Sequence, residues 1–200
     1  MKYVGIIGRL NNDKMTFNNE LINIINKYGI TPIGIIVDFN NDTNIEFNKV
    51  KNLIDICDYF ILQGGNEYYE IDLKIIKYLY DKNIPTLGIC LGMQSMAMTF
   101  NGTISSINNH NKKDKYVHNV KINKNSKLYS IIKNDNILVN SRHNSYIVNT
   151  DLKVSAINNI IEAIEDPNKT FFIGIQWHPE SIYDENSKLL FDFLFNLNKF

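Results

Sequence analysis

Apolar positions in the first half of the chain follow two alternating rhythms. Short, almost wholly apolar runs at residues 3–8, 32–37, 59–62 and 85–89 read as buried strands. Between them lie stretches in which apolar residues recur every three or four positions, the mark of a helix with one buried face. These cover residues 16–28, where Leu21, Ile25 and Tyr28 align, then 46–56, and 71–81, where Ile71, Ile75 and Leu79 align. A fourth helical stretch runs from Met93 to Phe100. The alternation predicts a parallel sheet with helices on both faces, because a parallel connection needs a crossover long enough to hold a helix.

The rhythm changes after Gly102. Strand-like runs at 102–106, 118–122, 137–140, 153–157 and 160–164, separated by polar turns, predict antiparallel hairpins. A last strand over 171–176 leads into the turn Trp177-His178-Pro179-Glu180. A closing helix over 187–197 puts Leu190, Phe193, Leu194 and Leu197 on one face. The expected fold class is α/β, a three-layer sandwich with a mostly parallel central sheet and a small antiparallel excursion in the second half. Two hundred residues without a linker or internal repeat suit one domain over 1–200.

Composition narrows the partners. The chain is 44% hydrophobic, enough for a sizeable core, and its 21 basic residues balance 21 acidic ones. No stripe of Lys and Arg with interleaved aromatics marks a nucleic-acid surface. Two cysteines, at 57 and 90, make neither a disulfide framework nor a C-x-x-C metal pair, which suits a reducing cytoplasm. The amino-terminal apolar run is too short for a secretion signal, and no later run approaches a membrane span. A soluble, intracellular protein is expected, and the Asn pairs at 11–12, 40–41 and 108–109 read as turns.

The chemistry centres on Gly88-Ile89-Cys90-Leu91-Gly92, placed between a strand and a helix. A strand that turns into a helix through one residue strains that residue, and small neighbours two positions either side leave room for the crowded backbone. Cysteine there is a better nucleophile than serine near neutral pH, and the amino-terminal end of a helix favours its thiolate. Read alone, five residues also fit a cysteine serving as a small apolar filler. Cys57, in Leu53-Ile54-Asp55-Ile56-Cys57-Asp58, has no glycines and no turn and reads as packing.

A nucleophile needs a base. His178 is the best placed of the four histidines, and Glu180, two residues on, has the reach to orient its imidazole. The N–H of Leu91 is a candidate oxyanion donor, with Gly65 of Gln63-Gly64-Gly65 as the second. The glycine pair fits a plain strand-to-loop turn as well. Arg9, Gly64-Gly65, Cys90 and His178 each follow a predicted parallel-type strand, and ligands of open α/β sheets bind at that edge.

These residues resemble a known family. Gly-Ile-Cys-Leu-Gly-Met-Gln at 88–94, with Gly-Ile-Gln-Trp-His-Pro-Glu at 174–180, resembles the class I glutamine amidotransferase domain, a flavodoxin-like fold whose Cys–His–Glu triad cleaves γ-glutamyl amides. The resemblance makes Cys90 the nucleophile, His178 the general base and acid, Glu180 its partner, and Gln94 a contact to the γ-glutamyl group. Gly8-Arg9, Leu62-Gln63-Gly64-Gly65, Val139-Asn140-Ser141-Arg142-His143 and Ile161-Glu162-Ala163-Ile164-Glu165 look most like the peptidase C26 branch that includes γ-glutamyl-γ-aminobutyrate hydrolase. That likeness nominates Arg9, Asn140, Ser141 and His143 as substrate contacts, although a polar hairpin end explains the Asn-Ser-x-His segment equally well. Where members of the branch often carry an apolar or aromatic residue and Gln after this histidine, Asn144-Ser145-Tyr146 follows here.

The implied activity is hydrolysis of small γ-glutamyl amides through a γ-glutamyl thioester. The alternative is a glutaminase subunit that delivers ammonia to a separate synthase chain. Neither implies a metal or organic cofactor, and the candidate protein partners are a second copy of the chain and, under the alternative, the synthase. His110 and His118 read as loop and strand-edge residues, with His118 within range of the site.

Overall fold

The computed structural model describes residues 1–197. Strand β1 (Tyr3–Ile7) leads into a hairpin of β2 (Arg9–Asn11) and β3 (Lys14–Thr16), then α1 (Asn19–Lys27), β4 (Thr31–Ile35), α2 (Thr43–Asp55), β5 (Tyr59–Leu62), α3 (Glu70–Asp81), β6 (Thr86–Ile89) and α4 (Leu91–Thr99). The second half continues with β7 (Thr103–Ser106), β8 (His118–Ile122), α5 (Lys127–Ile132), β9 (Asn136–Val139), β10 (Ser145–Asn149), β11 (Lys153–Asn158) and β12 (Ile160–Glu165). It ends with β13 (Phe172–Ile175), α6 (Pro179–Ile182) and α7 (Glu185–Phe195).

Five strands in the order β4-β1-β5-β6-β13 form the parallel centre of the expected α/β sheet. Alternate residues on each strand serve opposite faces. Tyr59 and Ile61 join Leu21, Ile25, Leu190 and Phe191 in one core, while Phe60 and Leu62 join Val50, Ile54, Ile75 and Met93 in the other. These are the two helical layers that the sequence pattern predicts.

The antiparallel strands extend this sheet rather than standing apart from it. β12 pairs antiparallel with β13, and β11, β8 and β9 continue outward, while β10 joins β12 to β7.

Several elements differ from the pattern's prediction. The helix predicted to start at residue 16 starts at Asn19, because residues 14–16 pair with 9–11. Asn12 and Asp13 both have positive φ, the backbone of a tight two-residue hairpin turn, so a short hairpin stands where a loop and helix start are predicted. Helix α5 occupies a stretch read as polar turns; Ser126 caps it, and it buries Leu128, Ile131 and Ile132. β10 follows the Asn-Ser-x-His segment and owes its strand form to pairing with β7 and β12. No helix among the described residues is long and apolar enough to cross a membrane.

Candidate active site

Cys90 is the single residue between β6 and α4, and its backbone sits at φ 52°, ψ −105°. Such a conformation costs a non-glycine residue about 1–3 kcal/mol and persists only where neighbours enforce it. The enforcement is visible. The Cys90 N–H donates to the Ile175 carbonyl at 2.8 Å, and the Cys90 carbonyl accepts from the Gln94 N–H at 3.1 Å. A Cβ on Gly92 would lie 2.1 Å from the Leu62 carbonyl oxygen, so the turn closes against β5 only with glycine there.

Sheet register brings His178 to this point. β6 and β13 run parallel with Ile89 opposite Ile175, so the chain leaving β13 passes beside Cys90. Pro179 opens α6 with His178 as its cap, which turns the chain at the sheet's rim. His178 and Cys90 both stand against Gly64, and the thiol is among the groups that raise the imidazole's proton affinity. On the other side of the ring, His178 Nδ1 meets Glu180 Oε1 at 2.8 Å. Burial pulls the imidazolium down, but bonding to Cys90 and Glu180 and their charges outweigh it and hold His178 up at about 10.

The glycine loop after β5 closes the site. A Cβ on Gly64 would lie 2.8 Å from His178 Cε1 and 3.7 Å from Cys90 Cβ, so only glycine lets the loop approach both. At Gly65 a Cβ would meet Leu91 Cδ2 at 2.9 Å and the Arg9 stem at 3.2 Å. Leu91 opens α4, so its N–H belongs to the helix's free amino-terminal donors.

The remaining nominated residues surround this centre and make internal bonds. Gln94 Nε2 donates to the Ser145 carbonyl at 3.0 Å and to Gln176 Oε1 at 3.1 Å. Asn140 spends its amide on the His178 backbone, accepting from the N–H at 2.8 Å and donating to the carbonyl at 3.0 Å. Ser141 donates to the His110 carbonyl and lies 3.2 Å from His143 Nε2. His143 is buried, which pushes it down to about 4 and leaves it neutral at physiological pH.

Arg9 differs from these. Its Nη1 donates to both oxygens of buried Asp72 at 2.8 Å, while buried Nε and Nη2 have no hydrogen-bond partner among the described residues. Arg9 lines a cleft of about 250 Å³ with the β2–β3 hairpin, Asn66, Glu67 and Tyr69.

His110 lies in a loop and His118 opens β8, as expected. His118 Nε2 meets Glu162 Oε1 at 2.9 Å, and the His110 ring lies 5.8 Å from that of His118 and 5.2 Å from that of His143. Two further residues stand beside the site. Asn18 Nδ2 donates to Glu180 Oε1 at 3.0 Å, and Gln63 Oε1 accepts from the Asn18 N–H at 2.8 Å. An Asn before an acidic, periodic run signals the helix start at 18, but nothing local points to a carboxylate 162 residues away. Cys57 is buried, donates to the Leu53 carbonyl at 3.1 Å, and is raised to about 11 by burial and by the Asp58 charge. A glutamine-like thiol alkylator is therefore expected to add its mass at Cys90 and spare Cys57, which peptide mass spectrometry reads directly.

Sheet, elbow and rim together define an α/β protein of the class I glutamine amidotransferase type. The chain belongs to the Peptidase C26 family, whose model matches residues 8–180. A GMP synthase [glutamine-hydrolyzing] of Francisella tularensis subsp. tularensis (strain FSC 198) is 30% identical over 180 residues. That match covers 79% of this chain and 34% of the relative, so the chain spans about a third of the length of the curated relatives it matches. Among solved structures, a GMP synthase component from Thermoplasma acidophilum superposes with TM-score 0.75 at 18% identity, over 98% of this chain and 94% of that one. The glutaminase domain of Trypanosoma brucei CTPS, with bound acivicin, superposes with TM-score 0.71 at 16% identity, over 98% and 94%. At these identities the structural likeness speaks for the fold.

Proposed function

We propose that this chain hydrolyses γ-glutamyl amides through a thioester on Cys90. The observation that carries the reading is the juxtaposition of Cys90 and His178 against Gly64, with Glu180 bonded to the far side of the ring, at a strained elbow on the rim of a parallel sheet. With the proton of Cys90 held on His178, the sulfur attacks the γ-carbonyl carbon. The N–H groups of Leu91 and Gly65 stabilise the oxyanion. His178 returns the proton to the departing nitrogen as the C–N bond breaks, leaving the γ-glutamyl thioester. Water then attacks the thioester, giving one proton to His178, which passes it to the sulfur as the C–S bond breaks and glutamate leaves.

Arg9 supports substrate anchoring, because its unpartnered Nε and Nη2 hold donors that a carboxylate accepts well. Arg9→Lys keeps a positive charge against Asp72 but loses the planar fork. It is expected to raise KM about tenfold with little change in kcat, roughly the 1–2 kcal/mol of a lost charge-assisted hydrogen bond. Steady-state kinetics on glutamine and on a γ-glutamyl alkylamide test this.

A second reading makes the leaving group ammonia, passed to a separate synthase. It is favoured by the GMP synthase relatives, which are named for glutamine hydrolysis. The isolated protein separates the two. Rapid glutamate release from γ-glutamyl amines supports the stand-alone hydrolase, while near-silence until a synthase is added supports the synthase-coupled glutaminase. No glutamate release in either arm removes both.

A further inference from the structure

Glu180 has a second partner whose other bonds reach the opposite wall of the site. Glu180 Oε1 accepts from His178 Nδ1 at 2.8 Å and from Asn18 Nδ2 at 3.0 Å, while the buried Oε2 has no hydrogen-bond partner among the described residues. Asn18 is also the cap of α1, its Oδ1 accepting from the N–H groups of Glu20 at 2.9 Å and Leu21 at 3.2 Å. Its own N–H donates to Gln63 Oε1. Gln63 Nε2 in turn donates to the Ile7 carbonyl at 2.8 Å and the Thr16 carbonyl at 3.1 Å. Gln63 directly precedes Gly64-Gly65. One asparagine therefore ties the imidazole's carboxylate to the residue that anchors the glycine loop.

We propose that Asn18 is a positioning residue whose side-chain amide holds Glu180 to the imidazole, while its main-chain N–H ties the start of α1 to Gln63 beside the glycine loop. This rests on the reading of His178 and Glu180 given above. The terminal torsion of a glutamate is soft, so one hydrogen bond leaves its carboxylate free to swing. A second donor on the same oxygen removes that freedom. The cap bonds fix Asn18 Oδ1, which aims Nδ2 at Glu180 without further cost in side-chain entropy.

The two jobs of Asn18 can be separated. Serine caps a helix as well as asparagine but has no amide donor to reach Glu180. Asn18→Ser is expected to melt with the wild type, to lose about tenfold in kcat at unchanged KM, and to move the alkaline limb of the pH–rate profile to lower pH. Asn18→Asp keeps the cap acceptor and sets a second carboxylate against Glu180, and a larger loss of kcat is expected. Both are measured on glutamine beside the wild type and Glu180→Gln. Alkylation of Cys90 by a glutamine-like chloroketone, followed by mass spectrometry across pH, gives the same comparison without turnover. Wild-type rates and limb in either folded Asn18 variant, with Glu180→Gln impaired, overturn the inference. Wild-type rates in Glu180→Gln overturn the underlying reading of the site instead.

Discussion

Cys90→Ala is expected to abolish γ-glutamyl amide hydrolysis, lowering kcat by roughly four to six orders of magnitude, as removal of a covalent nucleophile does elsewhere. The fold should survive. Alanine retains the Cβ, so the constraints that hold position 90 at φ 52° still apply, and the hydrogen bonds from Cys90 N–H to Ile175 and from Gln94 N–H to the residue 90 carbonyl are main-chain bonds. The melting temperature should therefore stay within a few degrees of wild type, about 1 kcal/mol for a chain of this size. Cys90→Ser should be nearly as inactive, because a hydroxyl is a far weaker nucleophile near neutral pH. Glutamate release by purified Cys90→Ala at the wild-type rate would eliminate the thioester scheme.

The second large effect is on pH dependence. In the proposed scheme His178 carries the proton given to the departing nitrogen, and its imidazolium is held up at about 10. The wild-type rate should fall as pH rises through about 10. In Glu180→Gln the carboxylate's hydrogen bond and charge are gone, leaving burial to pull the imidazolium down against Cys90 alone. The alkaline limb should then move to lower pH and kcat should drop about 10²- to 10⁴-fold.

Stability should follow the same titration. A histidine raised above its unfolded value of roughly 6.5 contributes fully below that pH, and the contribution is lost as pH rises through about 10. His143 works in the opposite sense. Held down at about 4, it destabilises the fold as pH falls from roughly 6.5 towards 4, where only the unfolded chain takes up the proton. Melts spanning the range from about pH 4 to about pH 10.5 should show stability rising with pH on the acid side and falling on the alkaline side. Glu180→Gln should flatten the alkaline fall, and an alkaline fall of the same size in that variant would refute the assigned cause.

The parallel half of the fold is legible because its helices are amphipathic in the simplest way. Ile71, Ile75 and Leu79, aligned by period, are all buried in α3. The second half is harder to read, since α5 is six residues long and β10 buries mainly Ile147, too little periodic signal to separate from a turn. The β2–β3 hairpin escapes the pattern for a related reason: its strands are three residues each and depend on the Asn12-Asp13 turn.

At the site, the candidate nucleophile, imidazole and carboxylate are nominated by local motifs, since strain at a turn and a histidine two residues from a glutamate leave their marks in neighbouring residues. What those side chains bond to is not legible. Asn140 is nominated as a substrate contact, yet its amide engages the His178 backbone, because the chain after β9 packs against α6.

The chain alone determined where most strands and helices of the parallel half alternate, which residue occupies the elbow, and which residue types flank it. Those features arise from interactions within a few positions of each other, so their pattern is written in adjacent residues. Only the tertiary structure decided that Ile89 lies opposite Ile175, that Asn18 reaches Glu180, and that Arg9 keeps two donors unpartnered. These depend on strand order and register, which are set by the packing of both helical layers at once and leave no mark at any single stretch of the chain.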